Sequence, residues 1–158
     1  MARAVTFKIT GGDEIRRRIE KLTHDLQEGE VRKAMRKGFG VVRDAARKNA
    51  KTLDDPATAT SIARNIAMRE DRRAGRRLGA IVLKVGVRGG ARQTKGEKAA
   101  NPGGDTFYWR FHEFGTRKMR ARPFLRPALA QNAERAIDET ARELDAALDR
   151  LTVPPKVS

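Results

Sequence analysis

An α+β fold is predicted by three features of the 158-residue sequence. Two long apolar stripes recur at helical spacing, one toward each end. A central run of β-branched residues alternates with polar ones, and a short alternating segment opens the chain. The expected order is an N-terminal strand and long bent helix, a small antiparallel sheet, then a long C-terminal helix, all in a single domain over 1–158. A chain of this length buries roughly 70% of its unfolded surface as one domain. It contains no cysteine, which excludes a disulfide scaffold and a thiolate zinc site.

Val5, Phe7 and Ile9 alternate with Thr6, Lys8 and Thr10, the pattern of a half-buried strand. Thr10 precedes Asp13 by three residues, an acidic approximation to a capping box, and Ile15, Ile19, Leu22 and Leu26 follow at helical steps. Gly29 interrupts them. Val31, Met35, Phe39, Val42 and Ala46 resume in a shifted register, which predicts a bend or short break near 28–30 and leaves open one helix or two.

Residues 52–60, with Asp54, Asp55 and Pro56, form a turn-rich connection leading to a helical turn at 61–65 and a strand at 66–70. Ile81, Leu83, Val85 and Val87 share one face of the next strand, which pairs with the preceding one across a loop at 71–79. Residues 89–105 hold five glycines, one proline and three basic residues, the composition of a flexible surface loop. Beyond Pro127, Leu129, Ala133, Ile137, Thr140, Leu144, Leu148 and Leu151 trace a helical stripe that Pro154 and Pro155 end, leaving a short tail at 152–158. Leu129, Ile137, Leu144 and Leu148 are expected to pack on the first helix or on a neighbouring subunit.

Charged residues make up 35% of the chain against ~25% in ordinary domains, with a formal net charge of +15. The excess is uneven: 128–158 holds four basic and six acidic residues, whereas 1–127 holds 31 against 14. Such a balance implies a polyanionic neighbour. No apolar run approaches the ~18–20 residues of a membrane span, and the first ten residues lack a signal-peptide core, so the chain reads as soluble and intracellular with no membrane partner.

The segment 107–127, FYWRFHEFGTRKMRARPFLRP, concentrates six of the chain's eight aromatic residues and six basic ones, with Glu113 the one acid among them. Phe107, Trp109 and Phe111 alternate and predict the inward face of a third strand. Base stacking on these rings competes with that reading but lacks an RRM signature. His112 and Glu113 are adjacent without the second histidine of HExxH, and Gly86, Gly89 and Gly90 lack a following Gly-Lys-Ser/Thr. No catalytic, cofactor-binding or metal-binding residue is therefore assigned, and no enzymatic activity. Pro123 and Pro127 stiffen the basic run into an arm, which loses less entropy on binding than a free one.

Residues 111–128 resemble the signature of the small neck, or tail-completion, proteins of long-tailed bacteriophages. Glu113, Phe114, Gly115, Thr116, Met119, Ala121, Arg122, Pro123, Phe124, Leu125, Pro127 and Ala128 stand in the matching places. The element order, including Ser61-Ile62 and the glycine-bearing strand 85–87, is similar over nearly the whole chain. The basic 71–77 segment and the stretch DPATATSI at 55–62 depart from the family pattern.

The resemblance implies a non-enzymatic structural virion protein, a ring at the head–tail junction joining the head connector to the tail tube around the DNA path. Six subunits are favoured and twelve the alternative. The implied partners are a head-closure or connector protein, a tail terminator or tail tube protein, and passing double-stranded DNA. The location is the tail or neck of the virion, assembled in the host cytoplasm. The expected subunit or partner interface is Phe114, Thr116, Arg117, Lys118, Met119, Arg120, Arg122, Phe124 and Arg126, with Arg72, Arg73, Arg76 and Arg77 as DNA contacts. The alternative function is sequence-independent nucleic-acid binding through the basic face.

Overall fold

The computed structural model describes residues 24–89 and 93–152. The strand expected at 5–10, the cap at Thr10 and Asp13, and the stripe from Ile15 to Leu22 lie outside the described residues. The elements are α1 (His24–Lys51), α2 (Ile62–Asn65), β1 (Ile66–Glu70), α3 (Arg72–Leu78), β2 (Leu83–Val87), α4 (Lys95–Ala99), α5 (Trp109–Phe114) and α6 (Leu125–Thr152).

The two long helices form an antiparallel pair. Lys37 of α1 meets Glu143 of α6, Glu30 meets Arg150, and at the other end Asn49 Nδ2 donates to the Phe124 carbonyl at 3.3 Å. α1 runs unbroken through Gly29, so the expected break at 28–30 does not occur. One helical glycine costs only about 1 kcal/mol, and the Glu28–Arg32 and Glu30–Lys33 ion pairs bracket it.

Small residues make the seam. Ala34, Gly38, Val42, Ala46 and Ala50 recur every fourth position on α1 and face Ala128, Ala136, Thr140, Ala147 and Leu148 on α6, all buried. A Cβ built on Gly38 would lie 2.0 Å from Thr140 Oγ1 and 2.4 Å from the Ala136 carbonyl oxygen, so the backbones touch there. The Thr140 hydroxyl donates to the Ala136 carbonyl at 2.7 Å, which satisfies it inside the seam. Of the four apolar residues expected to carry this packing, Leu148 is buried, while Leu129, Ile137 and Leu144 are half-buried.

β1 and β2 pair antiparallel, with Ile66 opposite Val87 and Glu70 opposite Leu83, in a two-stranded sheet. The core closes where this hairpin meets the helix pair, around Ala46, Ala50, Ile62, Ala63, Ile66, Phe124 and Ala128, with Val85, Val87, Tyr108 and Trp109 packed against it.

Two segments take a different form from that expected. The connection 71–79 is a helix: the Asp71 side chain accepts from the Ala74 amide, and Gly79 ends the turn at φ 60°. Phe107, Trp109 and Phe111 form no third strand, because α5 occupies 109–114 and swings Phe107 and Phe111 outward. Within 89–105, α4 is closed by a Thr94–Glu97 capping box. The segment is seated by buried Asn65, whose Nδ2 donates to the Gly104 carbonyl and Thr106 Oγ1 and whose Oδ1 accepts from the Gly103 amide, each at 2.8 Å. A Cβ on Gly103 would fall 2.0 Å from the Ser61 carbonyl oxygen, so only glycine fits this seat.

Candidate interaction surface

Glu113 organises the aromatic and basic segment. α6 begins at Leu125 after Arg-Pro-Phe, with no Ser, Thr, Asp or Asn at its start to cap the free amides of its first turn. Glu113, buried on α5, supplies the acceptors instead. Its Oε2 takes the Phe124 and Leu125 amides at 2.8 and 3.0 Å, and its Oε1 takes the Arg126 amide and Arg126 Nε, both at 3.1 Å. A carboxylate at a helix N-terminus is favoured by the helix dipole as well as by these bonds. With both oxygens so committed, Glu113 anchors the start of α6.

The same contact fixes the arm. Gly115 ends α5 at φ 73°, and a Cβ there would lie 2.9 Å from the Ala121 nitrogen, so the returning chain requires glycine. Thr116 closes a tight turn: its amide donates to the Met119 carbonyl at 2.8 Å, and its hydroxyl accepts from the Lys118 and Met119 amides. The Arg122 amide then donates to the His112 carbonyl at 2.7 Å. Arg117, Lys118, Arg120 and Arg122 are thus presented to solvent on a braced loop, and none is in an ion pair among the described residues.

Beside the arm stand the exposed rings. Phe107, Phe111 and Phe114 are 61%, 45% and 62% exposed. Phe107 and Phe111 meet edge to face at 6.4 Å, and Phe114 lies against Trp109 with the Arg126 guanidinium 5.4 Å from its ring centre. Aromatic residues and arginine on an exposed surface are the composition of a protein–protein contact.

Most of the expected interface residues share this edge: Phe114, Thr116, Arg117, Lys118, Arg120 and Arg122 are exposed, and Met119 is half-buried. Phe124 is instead fully buried in the core. Arg126 is turned back onto Glu113 and Phe114. Arg72, Arg73, Arg76 and Arg77 are exposed on one side of α3, without an ion pair among the described residues. They form a separate cluster. α3 follows the strand end that Arg32 and Arg36 hold through Glu70, whereas the arm borders a cavity with Lys48, Asn49 and Thr52.

Three polar anchors escaped the reading of the sequence: Glu113, Asn65 and Asp54. Asp54 caps α2 by accepting from the Ile62 and Ala63 amides and from Ser61 Oγ. The signal for Glu113 was a lone acid among basic residues, upstream of a helix start lacking a cap of its own. Among the described residues, no three His, Cys, Asp or Glu side chains gather as a metal site, and no helix is long and apolar enough to cross a membrane.

The profile of the HK97-gp10-like family, described as "Bacteriophage HK97-gp10, putative tail-component", matches residues 13–115. No curated protein and no solved structure matches the chain. The matched region ends on the C-cap of α5, so Glu113 lies within it and the arm and α6 lie beyond it.

Proposed function

The chain belongs to the HK97-gp10-like family of bacteriophage tail proteins, and on that premise we propose a non-enzymatic neck protein that forms a ring at the head–tail junction. The ring joins the head connector to the tail tube and encloses the DNA path. Six copies are the favoured number and twelve the alternative. The partners are a head-closure or connector protein on one side and a tail terminator or tail tube protein on the other. The protein assembles in the host cytoplasm and resides in the virion.

The observation that carries this reading is the edge formed by Phe107, Phe111, Phe114 and the arm. Three exposed phenylalanines are costly on a lone domain, and beside four cations that are in no ion pair among the described residues they suit a surface that another protein covers. Their mounting on Glu113 keeps the edge pre-organised, which lowers the entropy lost on docking. A ring requires heterologous contacts, one patch meeting a different one on the next copy. The basic arm and the net-acidic segment 128–158 are of opposite sign and supply such a pair.

The test is Arg120→Glu with Arg122→Glu. Both side chains are exposed and in no ion pair or side-chain hydrogen bond among the described residues, so the variant folds normally yet fails to form rings or join heads to tails. A normal yield of infectious particles contradicts the proposal.

A second reading rests on α3. Its four arginines on one face suit weak, sequence-independent duplex binding. Each phosphate contact contributes a slope of about −0.9 to log K against log salt. Arg76→Gln with Arg77→Gln therefore flattens the slope by roughly 2. An unchanged slope removes this helix from DNA contact and leaves the neck reading in place.

A further inference from the structure

The hairpin turns a basic face away from the core. Ile66, Met68 and Glu70 on β1, with Leu83, Val85 and Val87 on β2, point toward the helix pair, so the alternate residues Ala67, Arg69, Lys84 and Gly86 face outward. Arg69 and Lys84 stand directly opposite each other, a like-charge cross-strand pair of the kind that weakens a sheet. Lys84 has an acid to answer it, since its ammonium meets the Asp71 carboxylate, while Arg69 is in no ion pair among the described residues. At the far end of β2, Arg88 is exposed and likewise in no ion pair among them. Ala67 and Gly86, paired across the middle, keep the face flat. α3 continues this face. Asp71, whose amide donates to the Val82 carbonyl at 2.8 Å, caps the helix with the same carboxylate that Lys84 reaches. The start of α3 is thereby tied to the outward side of the sheet, and Arg72, Arg73, Arg76 and Arg77 follow from it, all exposed. Six arginines in no ion pair among the described residues thus border one acid, Asp71, that is already engaged.

Composition separates this surface from the arm. The arm stands beside three exposed phenylalanines, the makeup of a protein contact, whereas Leu78 is the one large apolar side chain exposed on the hairpin and α3. Arginine without aromatic neighbours suits phosphate, which a guanidinium grips through paired hydrogen bonds, and nucleic-acid contacts are far more basic than protein ones. We propose that the outward face of the hairpin and α3 form one platform for the sugar–phosphate backbone of double-stranded DNA, with Arg69 and Arg88 on the sheet joining the arginines of α3. From Lys84 to Arg88 the strand covers about 13 Å, the length of about four phosphates at about 3.4 Å each. Each arginine that neutralises a phosphate releases a counterion, so binding is independent of sequence and steeply dependent on salt. This deepens the reading of α3 and rests on it: it extends the contact from the helix to the sheet that carries it.

The experiment is a salt titration of a short duplex of mixed sequence against the full chain. Arg69→Gln with Arg88→Gln flattens the slope of log K against log salt by roughly 2, as Arg76→Gln with Arg77→Gln does, and thermal melting stays at the wild-type value. Lys48→Gln with Arg135→Gln takes the same charge from exposed positions on the helix pair and leaves the slope unchanged. An unchanged slope for the sheet variant overturns the proposal and leaves α3 to be judged by its own variant. Equal flattening by the helix-pair variant overturns it as well, because net charge and not a platform then governs binding. Polyglutamate that displaces the duplex as effectively as unlabelled duplex of equal charge overturns it in favour of an acidic protein partner. A wild-type chain that binds no duplex ends both this proposal and the reading of α3, and leaves the neck reading in place.

Discussion

The seam between α1 and α6 and the edge built on α5 divide the apolar residues in an unexpected way. Alanine, glycine and threonine make up most of the seam, with Val42 and Leu148, and backbones meet at Gly38 and Thr140. The edge leaves Phe107, Phe111 and Phe114 largely in solvent, and Phe124 alone of that segment's phenylalanines is fully buried. Close packing of small side chains thus closes the helix seam, while three of the four phenylalanines of 107–127 stand outside the core beside a mount of hydrogen bonds. In this chain, aromatic density marks the exposed edge and small residues at four-residue spacing mark the helix seam.

The sharpest way to break the comparison is to add bulk to the seam. Gly38→Val forces atoms into Thr140 and the Ala136 backbone, and is expected to cost about 3 kcal/mol or more in urea unfolding. A wild-type midpoint means the helices are not in backbone contact there. The next effect separates the mount from the rings. Glu113→Gln keeps the size but removes the charge that gathers three amides and one guanidinium, and is expected to cost about 2–3 kcal/mol. Amide exchange at residues 122–126 should rise with it, and unchanged protection there removes Glu113 from the anchoring role.

The smallest effect concerns α3. Backbone bonding from the Ala74 amide, then the Lys84 ammonium, holds the Asp71 carboxyl below the usual aspartate range. A depressed folded-state value means that its contribution is complete above the ordinary aspartate pKa and is lost as pH falls through the lower folded one. Amide protection of residues 74–78 should therefore stay flat from neutral to mildly acid solution and fall only in strong acid. Loss of protection near neutral pH contradicts the cap.

Periodicity and punctuation made the turn at 61–65, both strands and the C-terminal helix legible, because each carries its own local pattern. The helix at 72–78 was not, although Asp71 and Gly79 punctuate it, since its Arg-Arg-Ala-Gly-Arg-Arg core has no apolar face to register a period. α5 was misread for the opposite reason. Phe107, Trp109 and Phe111 satisfy a two-residue alternation, but the bonds from Glu113 to amides 11 to 13 residues further along favour the helix. Asn65 and Gly103 act across a longer gap of 38 residues. Anchors of this kind are pairings between distant polar groups, and no window along the sequence contains both partners. The aromatic and basic edge was legible as a concentration of residues, while its division into buried Phe124 and exposed Phe107, Phe111 and Phe114 was not.

The central claim is that the exposed rings serve assembly rather than the fold, and the most direct measurement is particle yield with Phe107→Ala and Phe111→Ala combined, supplied to a phage lacking the wild-type protein. The two rings lean on each other and on Tyr108 at the surface, so the double variant should unfold within about 1 kcal/mol of wild type, against about 3–5 kcal/mol lost by Phe124→Ala. With the domain intact, infectious yield is predicted to fall to that of phage without the protein. A wild-type yield from this folded variant contradicts the claim.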